Sequence, residues 1–112
     1  MWIKIIIWVQ VIRELAQAYL RGLHSLRPIH QYSYHNRGLI TQSVACGCFY
    51  CLAIFSPNEI EDWVDEVESD DETAIGLTAL CPKCGIDSVL PDNAPGVRLN
   101  PALLAKMNKY FF

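Results

Sequence analysis

The chain opens on an almost unbroken apolar run, Trp2-Ile3-Lys4-Ile5-Ile6-Ile7-Trp8-Val9, rich in residues that favour strands. From there the period changes. Val11, Ile12, Leu15, Ala16, Tyr19 and Leu23 recur at helical spacing, which predicts an amphipathic helix packed on the domain or on a partner. Lys4, Arg13, Glu14 and Arg21 interrupt the segment, too often for a membrane span of about twenty apolar residues. Neither a basic start before an unbroken apolar core nor a small-residue cleavage site marks a secretory leader. A helix lying in the plane of a membrane, and a start codon placed too far upstream, are the other readings. Arg27-Pro28 is expected to break the segment.

Downstream, Ser33 is placed to cap a short helix running toward Val44, with Gly47 ending it. Leu52-Ala53-Ile54-Phe55 reads as a short apolar strand. In Ser56-Pro57-Asn58-Glu59 a serine cap, a proline at the first helical position and a glutamate at the third make a capping box. That box predicts a central helix with Ile60, Trp63, Val64 and Val67 on one stripe and Glu61, Asp62, Asp65, Glu66 and Glu68 toward water. Ser69-Asp70-Asp71-Glu72 reads as a polar linker, and Ile75 to Leu80 as a returning strand. Asn100-Pro101 caps a last helix whose packing face is Leu103, Leu104, Met107, Tyr110 and Phe111.

The predicted class is therefore α+β: an N-terminal helix, a central capped helix, a C-terminal helix and short strands. Residues 1–30 form an apolar, amphipathic N-terminal segment, and residues 31–112 the domain proper. With 112 residues, 52% of them apolar, the chain has room for one modest core and needs additional stapling.

The cysteines supply that staple. Cys48-Phe-Tyr-Cys51 and Cys81-Pro-Lys-Cys84-Gly85 each have the spacing that aims two thiolates at one ion from a tight knuckle. Pro82 stiffens the second turn, and Gly85 can take the positive φ needed after the second ligand. Cys48, Cys51, Cys81 and Cys84 together make a closed tetrahedral shell, the usual structural zinc arrangement, and Zn2+ is the expected cofactor. A disulfide framework fits poorly, because five cysteines is an odd number. A rubredoxin-type iron centre has similar knuckles and stays open. Cys46 is the spare, either a small residue packed like an apolar one or an alternative ligand. Strands and helix around the knuckles are compatible with a zinc ribbon or with a treble clef, whose second pair lies near a helix start; Cys48 to Phe55 followed by a helix looks like the opening of HNH-type treble-clef domains, which leans the reading to the latter.

Charge is unevenly spread. Met1 to Arg37 holds five bases, one acid and all three histidines; Glu59 to Glu72 holds nine acids and no base. Nucleic-acid binders usually carry a clustered Lys/Arg face, and the metal-binding half has none, so a nucleic-acid role rests thinly on Arg13, Arg21, Arg27 and Arg37. The acidic run reads as a solvated face. Lys83, at the tip of the second knuckle, is placed to offset thiolate charge. Tyr50 and the Tyr110-Phe111-Phe112 end are candidate exposed anchors for a protein partner. His35-Asn36-Arg37 is a polar trio, either catalytic or a cap and surface cluster.

Taken together, GCFYC, FSPNEIEDW, TALCPKCGIDSVL and LLAKMNKYFF, with HNRGLI before the first knuckle, resemble a family of small bacterial proteins usually labelled only "cytoplasmic protein". The resemblance runs from about Ser33 to the end of the chain. It implies a cytoplasmic location and zinc bound through Cys48, Cys51, Cys81 and Cys84, and it implies no activity. The apolar start and the acidic stretch from Val67 to Gly76 depart from the family's pattern. The segment from Cys48 to Phe55, followed by a helix, is also similar to the opening of HNH-type nuclease domains. Those place a metal-activating histidine after the first cysteine pair, commonly in an Asp-His pair; the comparable pair here is Asp62-Trp63, and no histidine follows His35. A catalytic zinc also keeps an open position, which four cysteines close. The expected function is a non-catalytic interaction or regulatory module that meets another protein or another copy of itself. The alternative is an HNH-like nuclease or nucleic-acid-binding zinc protein using His35 and Arg37.

Overall fold

A computed structural model of the protein describes residues 2–68 and 74–112; the linker expected at Ser69 to Glu72 lies outside them. Helix α1 spans Trp2–His30 and carries Pro28 inside its last turn. The expected break at Pro28 does not occur. A proline this close to the end removes one late backbone bond and leaves the turns before it intact. Termination comes instead from the side chains that follow: Gln31 Nε2 donates to the Pro28 carbonyl at 2.7 Å and Ser33 Oγ to that of His30 at 2.8 Å. Ser33 thus closes α1, within a 3-10 turn over Gln31–Ser33, and does not open the next helix. That helix, α2, is Arg37–Gln42 and ends well before Gly47.

Five strands follow, forming two antiparallel sheets. Strands β1 (Cys46–Cys48), β2 (Ile54–Phe55) and β5 (Val89–Pro91) form one sheet in the order β2-β1-β5, with Gly47 opposite Ile54 and Leu90. Strands β3 (Trp63–Glu68) and β4 (Ala74–Ala79) form the other. The central helix expected over 57–68 is therefore a single 3-10 turn, Pro57–Glu59, followed by a strand. Its capping box is present as read: Ser56 Oγ accepts from the Asn58 N–H, and Glu59 Oε2 accepts from the Ser56 N–H at 2.9 Å. The Ser56 N–H, and then Lys83, hold the Glu59 carboxyl below its ordinary range. Asp65, at φ 57, twists β3 midway without shifting its register.

Side chains alternate across the three-stranded sheet. Cys46, Cys48 and Val89 face one core cluster with Ile40, Phe55 and Ala79. On the other side Leu90 packs with Phe49, Leu26, Leu104 and Met107. Gly47 permits this second contact, because a Cβ there would lie 2.9 Å from a Leu104 methyl. The C-terminal helix α3, Pro101–Phe111, has the cap and packing face read from its sequence. Asn100 Oδ1 accepts from the Leu103 N–H at 2.8 Å, and Leu104 and Met107 are fully buried.

The lower end of α1 joins this body through buried Leu26 and partly buried Ile29. Residues 7–17 of the helix are exposed, and the molecule measures 73 × 27 × 23 Å. Of the stripe read from the sequence, Val9, Ile12 and Ala16 are exposed, and the side chains of Tyr19 and Leu23 lie outside the described residues. No described helix is long and apolar enough to cross a membrane.

Candidate metal centre

Each cysteine pair sits at a turn between strands: Cys48 ends β1 and Cys51 lies before β2, while Cys81 and Cys84 lie between β4 and β5. A helix opening at the second pair, as in the treble-clef reading, is not found; β5 follows, and α3 starts only at Pro101.

The two loops share the same main backbone bonds. The Cys48 N–H donates to the Ala53 carbonyl and the Cys81 N–H to that of Ile86, both at 2.9 Å. The return bonds run from Leu52 to the Cys48 carbonyl at 2.9 Å and from Gly85 to the Cys81 carbonyl at 2.8 Å. At each tip a backbone N–H points at the first sulfur, Tyr50 to Cys48 Sγ and Lys83 to Cys81 Sγ, both at 3.4 Å. This geometry requires a left-handed residue after the second cysteine. Gly85 takes it at φ 79, as its sequence position predicts, and Leu52 takes it at φ 67. An L-residue pays about 1–2 kcal/mol in that region. Gly85→Ala is therefore expected to destabilise the metal-loaded protein by about 1 kcal/mol, while Leu52→Gly relieves strain and loses no stability. Denaturant unfolding of the two variants checks this; an equal loss at both positions would refute the strain argument.

The loops bring the four sulfurs together. All lie within 4.8 Å of one another; Cys48 Sγ is 3.6 Å from Cys84 Sγ, and Cys51 Sγ is 3.7 Å from Cys81 Sγ. A tetrahedron with metal–sulfur arms of about 2.3 Å has edges of about 3.8 Å. Two of the six sulfur–sulfur edges match that length and none exceeds 4.8 Å, so the cluster is compatible with a thiolate shell, and the donor set fits a soft or borderline metal ion. Cys48 and Cys81 are buried, Cys84 is half-buried and Cys51 is exposed. The site therefore lies at the surface, with one edge toward solvent.

The surroundings favour the thiolate at Cys48. Burial pushes the Cys48 thiol up, but the Ser88 hydroxyl and the N–H groups of Cys51 and Tyr50 outweigh it, and the net shift is downward. Ser88 is buried and its Oγ lies 3.1 Å from Cys48 Sγ. Burial, with the adjoining thiols of Cys48 and Cys81, pushes Cys84 up to about 12 and also raises Cys51. Lys83 does not reach the sulfurs with its charge, because its ammonium pairs with Glu59 Oε1 at 3.2 Å. Its backbone N–H makes the contact instead.

Cys46 is not in the cluster. It is fully buried in β1, and burial, then the Asp92 charge, pushes its thiol to about 12. It packs as an apolar residue, the simpler of its two readings.

The polar trio separates. His35 is exposed, at φ 48, with its ring stacked on Tyr34 at 3.8 Å. Its backbone N–H donates to Thr78 Oγ1, which donates to Asp65 Oδ2. Arg37 donates to the Gly76 carbonyl at 2.7 Å and lies 4.6 Å over the Trp63 ring; it clamps β3 and β4. Asn36 turns inward and is 1% exposed. Of the exposed anchors expected from the sequence, Tyr50 and Phe112 are exposed and meet edge to face at 4.9 Å, while Tyr110 and Phe111 are half-buried against the core.

Sequence reasoning missed Ser88 as a partner of the shell and Asn36 as a buried brace. The only local signal for Ser88 was a small hydroxyl soon after the second knuckle. Searches against protein-family models, curated proteins and solved structures return no significant match.

Proposed function

We propose that Cys48, Cys51, Cys81 and Cys84 hold one Zn2+ as a structural centre with ribbon-like, strand-flanked knuckles, in a non-catalytic interaction or regulatory module. The observation that supports this reading is the closed donor set. Four sulfurs in one cluster leave no open position for water or substrate. Zinc suits a thiolate tetrahedron with no redox demand, and the ion's contribution is fold energy. Tyr34 stacks on the His35 ring, and Arg37 is spent on Gly76 and Trp63. Neither leaves a converging pair of polar groups for nuclease chemistry. The resemblance to small bacterial cytoplasmic proteins supports a cytoplasmic setting. Purified full-length protein is expected to carry one zinc per chain by elemental analysis and to cleave neither DNA nor RNA. Iron in place of zinc, or cleavage that His35→Ala abolishes, would overturn the reading.

A further inference from the structure

A groove of about 960 Å³ lies where the foot of α1 meets α3. Leu26, Ile29 and Leu103 contribute apolar walls, and Arg98, Lys106 and Lys109 contribute cations; no aspartate or glutamate is among the described lining residues. A concave apolar site ringed by one sign of charge selects an occupant of opposite sign.

The walls belong to a longer surface. At 3.6 residues per turn, Trp8 and Val11 stand about five turns above Leu26 and Ile29 on the same side of α1. Ile7, Ile12 and Leu15 share that side, and these five residues are 40–68% exposed. The opposite side carries Gln10, Arg13, Glu14 and Gln17. The helix face that enters the core at Leu26 thus continues, uncovered, along the exposed turns.

We propose that this stripe and the groove on the same side of α1 together dock an acidic amphipathic helix of a partner protein. The inference rests on the interaction-module reading and names its partner class. Three features select this occupant. First, an amphipathic helix laid on the stripe meets apolar side chains at helical spacing, the helix-in-groove mode of recognition. Second, acidic residues at its end nearest α3 meet Arg98, Lys106 and Lys109. Third, a second copy of α1 is a poor occupant. It carries Lys4, Arg13, Arg21 and Arg27 against one acid, Glu14. Laid along the stripe in either direction, it brings Lys4 or Arg27 toward the cations of the groove, and like charges juxtaposed at an interface are costly. A membrane surface is poorer still. It does not fill a concave groove, and the polar side of the exposed turns offers one base and one acid, Arg13 and Glu14, where anionic lipid demands an excess of bases.

The test uses full-length, zinc-loaded protein and a synthetic helical peptide with leucines at heptad a and d positions and glutamates elsewhere. Titration calorimetry is expected to show binding that weakens with salt. It should fall about tenfold or more in Ile12→Glu and in the double variant Lys106→Glu/Lys109→Glu, with zinc content unchanged. A matched peptide with lysine for glutamate should not bind. Absence of binding by the acidic peptide, or equal binding of the lysine peptide, would overturn the proposal. Self-association in sedimentation that Ile12→Glu abolishes would assign the surface to a second copy, and binding to vesicles rich in phosphatidylglycerol that Ile12→Glu abolishes would assign it to lipid; either also overturns it. Zinc content and the cleavage assay are read separately, so failure of this surface is distinguishable from failure of the metal-module reading.

Discussion

Cys81→Ser is expected to empty the metal centre and to unfold the region from Cys48 to Val89. Cys81 is buried and its sulfur is 3.7 Å from that of Cys51. A serine hydroxyl stays protonated at neutral pH and does not replace a thiolate, so three donors remain around the ion. Structural zinc supplies on the order of 10–16 kcal/mol to folding, as much as the whole net stability of a typical domain, about 5–15 kcal/mol. The core that would survive is divided into two small clusters on either side of a three-stranded sheet. Elemental analysis and thermal melting read the outcome; a variant that keeps its metal and its melting temperature would exclude the proposed shell. Cys46→Ser, outside the cluster, should leave metal content unchanged. Acid should act as the substitution does. Metal binds the deprotonated thiols, and burial and the neighbouring sulfurs raise Cys84 and Cys51. Loading therefore releases protons, and metal affinity falls as pH falls.

Legibility followed the range of the interactions. The knuckles were readable because the backbone bonds that turn each one lie within six residues, from Cys48 to Ala53 and from Cys81 to Ile86. The cap at Asn100 and the box at Ser56 and Glu59 are local for the same reason. The strand at Trp63–Glu68 was not readable as a strand. Ile60, Trp63, Val64 and Val67 satisfy a helical repeat, and a capping box stands just before them. What decides against the helix is distant in sequence. β4 pairs along the segment, with Trp63 opposite Ala79, and Arg37 lies over the Trp63 ring. Within β3, Asp65 accepts from Thr78. With these in place, Val64 and Val67 stay exposed and only Trp63 turns partly inward. Pro28 misled in the opposite sense: its cost depends on how many turns remain, and the helix ends two residues later.

Asn36→Ala is expected to be strongly destabilising although it lies outside the cysteine cluster. The Asn36 side chain is almost wholly buried, and each of its three bonds reaches backbone. Nδ2 donates to the Val89 carbonyl at 2.8 Å and to the Tyr32 carbonyl at 2.9 Å; Oδ1 accepts from the Ala79 N–H at 3.1 Å. Ala79 lies two residues before Cys81, and Val89 directly follows Ser88, the hydroxyl beside Cys48. The amide therefore ties the strand entering the second knuckle to the strand leaving it. Alanine leaves a buried donor and a buried acceptor without partners, at about 1–3 kcal/mol each, and opens a small void. A loss of about 3 kcal/mol follows, and a fall in melting temperature of about 10 °C or more for a chain of this size. Metal affinity should drop with it, because the positions of Cys81 and Ser88 are no longer braced. Arg37→Ala supplies the comparison. Its guanidinium is only partly buried, so its loss exposes groups to water that Asn36→Ala leaves dry, and it should cost less. If Asn36→Ala melts within about 1 kcal/mol of the wild type, the brace is not where the second knuckle gets its rigidity.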